Sequence, residues 1–159
     1  TTHLLQAALR KILGDHVSQK GSNITTERLR FDYSDPDKLT ADQIKKVEQY
    51  IAEKIEEKLS VYYDVLPKEE AIQKGASYME NESYPDKVKV YIVGEDWGSA
   101  ISKEFCGGPH VSNTSQLRPI EIYKQKNIGE GKNRIYARFI DWHSDLSSAI
   151  KIFGFNQNY

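Results

Sequence analysis

A single cysteine, Cys106, stands in the 159 residues, so no intramolecular disulfide framework is available to this chain. A lone thiol fits a reducing cytoplasm, and it leaves Cys106 as either a small core residue or a reactive or metal-binding one. No run approaches the roughly 18 apolar residues of a membrane span, and Thr1 opens into a helical pattern without the charged-then-apolar order of a signal segment. An excess of charge of one sign is missing too: 22 Lys and Arg face 23 Asp and Glu, for a formal net charge of −1. That balance argues against gripping nucleic acid, DNA included, by bulk electrostatics, while leaving local contacts open. Glycine-rich phosphate loops and a Gly-x-Ser-x-Gly elbow are absent. What is present, 38% hydrophobic residues and 11% aromatics, suits a folded domain with an ordinary core.

The apolar residues Leu4, Leu5, Ala8, Leu9, Ile12 and Leu13 recur at three- and four-residue spacing and predict a helix ending near Gly14. A chain that begins inside such an element and without Met is expected to be cut from something longer. Gly21-Ser22-Asn23 reads as a turn, after which Leu29, Phe31 and Tyr33 alternate with Arg28, Arg30 and Asp32 as in a half-buried strand. Thr40 with Gln43 is a capping-box pair opening a long amphipathic helix through Ile44, Val47, Ile51, Ile55 and Leu59. Val61 to Leu66 predicts a strand, Pro67 the first turn of a helix that Gly75 breaks, and Val88 to Val93, Ile101 to Phe105, Ile120 to Tyr123 and Ile135 to Phe139 further strands. Leu146 to Ile152 is weakly helical. The expected architecture is one α+β unit, a mostly antiparallel sheet packed with two or three helices, over residues 1–140, with an unassigned tail over 141–159.

Charge is uneven along the chain. Residues 40–70 carry 5 basic and 8 acidic groups, residues 115–159 carry 7 basic and 4 acidic. Two readings stand: solvated faces, or Lys124, Lys126, Lys132, Arg134 and Arg138 touching phosphates.

Four histidines, Cys106 and the single Met79 exhaust the soft and borderline metal ligands. Cys106 and His110 are separated by Gly-Gly-Pro, which cannot form regular helix and lets both side chains face one point. A thiolate and an imidazole suit zinc. The spacing alone equally accommodates a buried cysteine beside a tight turn. His3, near a helix start, reads as a capping or surface residue when taken alone, His16 as structural near a helix C-terminus, and His143 as a surface residue. A Cys106 nucleophile with His110 as base lacks a third orienting group.

Longer stretches go beyond this generic chemistry. The opening helix Thr1 to Arg10, the run Gly14-Asp15-His16-Val17-Ser18-Gln19-Lys20-Gly21-Ser22, the strand Leu29 to Ser34, the segment Lys103-Glu104-Phe105-Cys106-Gly107-Gly108-Pro109-His110-Val111, and Gly129-x-Gly131-x-x-Arg134-Ile135 occur in this order. In order and spacing, from position 1 to about 138, the chain resembles the C-terminal editing region of alanyl-tRNA synthetases. The resemblance implies an editing-domain fold and a zinc site made of two helical histidines with the pair of Cys-x-x-x-His. Carried over, His3 is the second helical ligand and Cys106 and His110 are the other two, the first histidine being expected just upstream of Thr1.

It further implies hydrolysis of the ester in Ser- or Gly-charged alanine tRNA, with tRNA as the partner and no membrane. An alanine pocket excludes glycine poorly and rejects serine incompletely, which is why a second site is needed. Gln19 aligns with a polar pocket residue, against the plainer reading of a solvent-facing side chain. ATP belongs to a ligation domain outside this sequence. A freestanding editing protein acting in trans and a non-catalytic zinc or tRNA-binding module are the alternatives.

Overall fold

The computed structural model describes residues 1–80 and 82–140. The helical expectation over Leu146 to Ile152 and the surface reading of His143 lie outside the described residues. In chain order the elements are α1 (Thr2–Leu13), β1 (Gln19–Ile24), β2 (Arg28–Ser34), α2 (Ala41–Glu56), β3 (Val61–Pro67), α3 (Lys68–Gln73), β4 (Lys87–Val93), β5 (Ser102–Phe105), a single 3-10 turn (Thr114–Gln116), β6 (Ile120–Gly129) and β7 (Lys132–Phe139). The fold is α+β with two antiparallel sheets. Among the described residues no helix is long and apolar enough to cross a membrane.

The described residues divide into two compact units, one made of residues 1–55 and 118–140, the other of Glu56–Leu117. In the first, the sheet order is β1-β2-β7-β6. Leu29, Phe31 and Tyr33 of β2 and Ile135 and Ala137 of β7 are fully buried, as period-2 alternation predicts. The apolar stripes of α1 (Leu4, Leu5, Ala8, Leu9) and α2 (Val47, Ile51, Ile55) complete this core. α2 starts on the predicted capping box: the Gln43 N–H donates to Thr40 Oγ1 at 3.1 Å, and the Thr40 N–H donates to Gln43 Oε1 at 2.9 Å. It stops at Glu56, short of Leu59, because Lys58 takes a positive φ of 52°.

Two further departures have plain causes. Gly21-Ser22-Asn23 is no turn but part of β1, an exposed edge strand whose residues pair with Asp32, Phe31 and Arg30 of β2 beside an irregularity at Gln19/Gly21. β6 runs on to Gly129, its polar second half held by β7. Glu130 and Gly131, both at positive φ (54° and 70°), make the two-residue turn between β6 and β7.

In the second unit the order is β3-β4-β5. β4, paired on both sides, is almost wholly buried. Leu66, Ala71, Ala76, Val88, Val90, Ile92 and Phe105 form its core, flanked by Tyr62, Tyr84, Trp97 and Ala100. Pro67 is the last residue of β3 and the N-cap of α3, with an extended backbone (φ −57°, ψ 140°), rather than a first-turn residue.

Candidate metal centre

β5 is held on both edges, and this delivers Cys106 to a fixed place. Its residues pair with β4 on one side, and the Cys106 N–H extends that ladder by donating to the Lys89 carbonyl at 3.1 Å. On the other side the Phe105 N–H donates to the Ser77 carbonyl at 2.9 Å, and the Ser77 N–H to that of Lys103 at 2.8 Å. The chain then leaves the sheet through Gly107, Gly108 and Pro109. Neither glycine takes a positive φ, so left-handed backbone is not what they supply. A Cβ at Gly108 would lie 3.8 Å from Cys106 Sγ, and any longer side chain there would compete for the space beside the sulfur.

His110 is oriented twice over. Its ring stacks on Tyr91, with centroids 3.6 Å apart and planes 20° apart. Nδ1 lies 2.9 Å from the Gly108 carbonyl, which can only accept, so Nδ1 is the donor here and Nε2 is the nitrogen that would face a metal. A ring N–H fixed on a backbone carbonyl is the usual support of a metal-ligating histidine. The cysteine sulfur and a ring nitrogen of His110 lie within 4.8 Å of one another. Tetrahedral zinc, at about 2.3 Å from sulfur and about 2.0 Å from nitrogen, asks for donors roughly 3.5 Å apart, a spacing inside that limit. The donor set therefore fits zinc.

The remaining residues singled out in the sequence belong to the first unit. His3 sits in the first turn of α1 and is buried, with Gln6 buried one turn on. His16 lies beyond the end of α1, and its Nε2 meets Asp35 Oδ2 at 2.7 Å. Gln19 opens β1, where its side-chain amide donates to Ser22 Oγ at 2.9 Å. Arg134 is committed within the sheet: Nε and Nη2 donate to Asp32 Oδ1 and Oδ2 at 2.7 and 3.0 Å, a bidentate pair that pushes the guanidinium's pKa further up. Lys132 Nζ is 3.5 Å from the exposed Glu130 carboxylate. Lys124 Nζ lies 5.3 Å from the centre of the Tyr136 ring, and Arg138 lies 4.5 Å over Tyr123. Arg28, Arg30, Tyr123 and Tyr136 were not singled out in the sequence, yet they share this face. The alternation that buries Leu29 and Phe31 already places both arginines opposite the core.

Residues 88–136, which run from β4 through Cys106 and His110 into β7, match the family described as the threonyl and alanyl tRNA synthetase second additional domain. Over 140 residues, 88% of this chain, the sequence is 47% identical to an alanine–tRNA ligase of Borrelia hermsii. The chain is homologous to one segment of the alanine–tRNA ligases. A ligase of Treponema denticola is 48% identical over 136 residues, and one of Dehalococcoides mccartyi 40% identical over 136. The chain spans 23%, 22% and 15% of these three ligases, respectively.

Proposed function

We propose that this chain is the proofreading segment of an alanine–tRNA ligase, a zinc-dependent hydrolase of the ester in Ser- or Gly-charged alanine tRNA. The observation that carries the reading is the Cys106–His110 pair, whose donor atoms lie within 4.8 Å of one another inside the segment that matches the tRNA synthetase additional domain. His3 joins them as the third ligand in this reading, and a histidine preceding Thr1 fills the fourth position. Zinc, when bound, supplies a Lewis acid for the ester carbonyl or a water of lowered pKa.

The chain's own residues do the rest. The Gly108 carbonyl accepts the Nδ1–H of His110, which makes Nε2 the nitrogen that would hold the metal. Tyr91 keeps the ring in plane. Gln19 presents an amide at the edge of β1 that reads the hydroxyl or amine of the attached amino acid. The ligation step, with its ATP, is assigned to sequence outside these residues, and protein synthesis in the cytoplasm is the setting.

Deacylation of Ser-charged alanine tRNA by the zinc-loaded chain tests this. Cys106→Ala with His110→Ala is expected to slow the reaction by more than the roughly 10–100-fold that loss of a supporting partner costs a metal site. An unchanged rate would sink the assignment. Tight tRNA binding without cleavage above background would make the chain a binding module instead.

A further inference from the structure

The outer face of the four-stranded sheet is a second surface with a defined chemistry. Three rows cross it: Arg28–Arg138–Glu121, Arg30–Tyr136–Lys124 and Asp32–Arg134–Lys126. Asp32 is taken by Arg134, and Glu121 reaches Arg138 only at 3.6 Å. Among the described residues no carboxylate pairs with Arg28, Arg30, Lys124 or Lys126. Two of these cations rest on aromatic rings instead: Arg28 at 5.8 Å and Lys124 at 5.3 Å from the Tyr136 centre. Tyr123, in the irregularity between Ile122 and Lys124, carries Arg138 at 4.5 Å, and the two tyrosine rings are 6.3 Å apart.

Arg28 Nη1 and Arg30 Nε are buried with no hydrogen-bond partner among the described residues. Donors removed from water without an acceptor are costly, and most buried ones are satisfied. Those two atoms are closed to solvent and so to a ligand, but the side chains they belong to are only partly buried, and on a face short of carboxylates an anionic ligand with several acceptor oxygens suits them.

We propose that this face binds a single-stranded stretch of RNA, with Arg28, Arg30, Lys124 and Lys126 donating to its phosphates and the tyrosine-backed guanidinium planes stacking against its unpaired bases. Cations without carboxylate partners supply the phosphate term, and planar guanidinium and phenol groups supply the stacking term; a duplex hides the base faces the latter needs. The inference rests on the reading of the chain as a tRNA-acting segment, since RNA is the polyanion that reading brings to it. It moves the contact away from Arg134, which Asp32 already holds.

Fluorescence anisotropy with a labelled single-stranded RNA of about ten nucleotides, and with a blunt hairpin of equal phosphate count, tests it. The single strand is expected to bind at least fivefold more tightly than the hairpin. Arg28→Gln with Arg30→Gln should weaken it about tenfold or more and lower the slope of log K against log salt by about 1.4, two contacts at about 0.7 each. Tyr136→Leu should cost fivefold or more, and Tyr136→Phe should restore binding. Far-UV circular dichroism reports whether each variant folds, and the exposed Lys124→Gln serves if the arginine pair does not tolerate change. Unchanged affinity and slope in folded variants overturn the proposal, as does equal competition by polyglutamate, which would make the occupant an acidic protein. Binding that depends on Arg28 and Arg30 without ester cleavage fails the hydrolase reading alone. Cleavage with RNA binding indifferent to them fails this inference alone.

Discussion

Tyr33 shows how one side chain can be well placed for packing and poorly placed for its polar atom. Its ring is fully buried on β2, yet the hydroxyl has no hydrogen-bond partner among the described residues. Burial, and then the nearby Asp35, push its pKa up. Tyr33→Phe removes only the unsatisfied hydroxyl, so the thermal midpoint should hold or rise, by up to about 1 kcal/mol of stability. Arg134 is the opposite case. Asp32 is buried and depends on both of its guanidinium donors, so Arg134→Gln is expected to cost about 3 kcal/mol in urea unfolding. An Arg134→Gln chain as stable as the wild type would show that the pair contributes nothing net. This partnership was not legible in the sequence, where Arg134 reads as a phosphate contact, because Asp32 lies 102 positions away. The proximity of Cys106 and His110 was legible, since their four-residue spacing confines both side chains to one loop.

At the scale of elements, local signals were readable and edges were not. The Thr40–Gln43 box and the stripe of α2 are encoded within one helix, whereas β1 is held by pairing with β2 and carries turn-forming residues in its own sequence. The β6–β7 turn places Glu130 at positive φ, where Asn is far better tolerated. Glu130→Asn creates the preferred Asn-Gly turn at the loss of one exposed ion pair, and should stabilise the chain by about 0.5–1 kcal/mol in thermal melting. α2 also meets β6 through Glu48, a buried carboxylate that accepts a hydrogen bond from the Ile122 N–H at 3.3 Å. Burial raises its pKa from 4.5 to about 7, against the lowering effect of that N–H and with a smaller push from Glu121. The folded state thus favours the protonated acid. Its contribution to stability is complete below about pH 4.5 and is lost as pH rises to about 7. Glu48→Gln should remove that slope and leave the variant more stable than the wild type at pH 8, by on the order of 2–3 kcal/mol. Parallel pH profiles for the two proteins would refute this.

For the whole molecule, the division into two units was invisible along the sequence because no linker marks it. The second unit closes its own entrance and exit: the Val61 N–H donates to the Ser112 carbonyl at 3.0 Å, the Leu59 N–H to Thr114 Oγ1 at 2.9 Å, and Asn113 Nδ2 to the Lys58 carbonyl at 3.0 Å. With both ends tied by hydrogen bonds, no Gly, Pro or Ser-rich stretch is needed there. Zinc, bound as proposed, makes a prediction about the stability of the chain. A ligand bound only by the folded state stabilises it by about 2.7 kcal/mol at a hundredfold excess over its Kd, and for a chain of this size that corresponds to a rise of about 5–10 °C in the melting midpoint. Zinc added to chelator-treated protein should produce that rise, and Cys106→Ser should abolish it. Replacing zinc with cobalt should give a thiolate-to-metal absorption band that is also lost in Cys106→Ser. The decisive variant is His3→Ala: a ligand role requires it to lower zinc affinity while leaving the metal-free midpoint near that of the chelated wild type. If His3→Ala instead lowers the metal-free midpoint and leaves zinc affinity intact, the buried imidazole is a packing residue of α1, and Cys106 and His110 bind their metal without it.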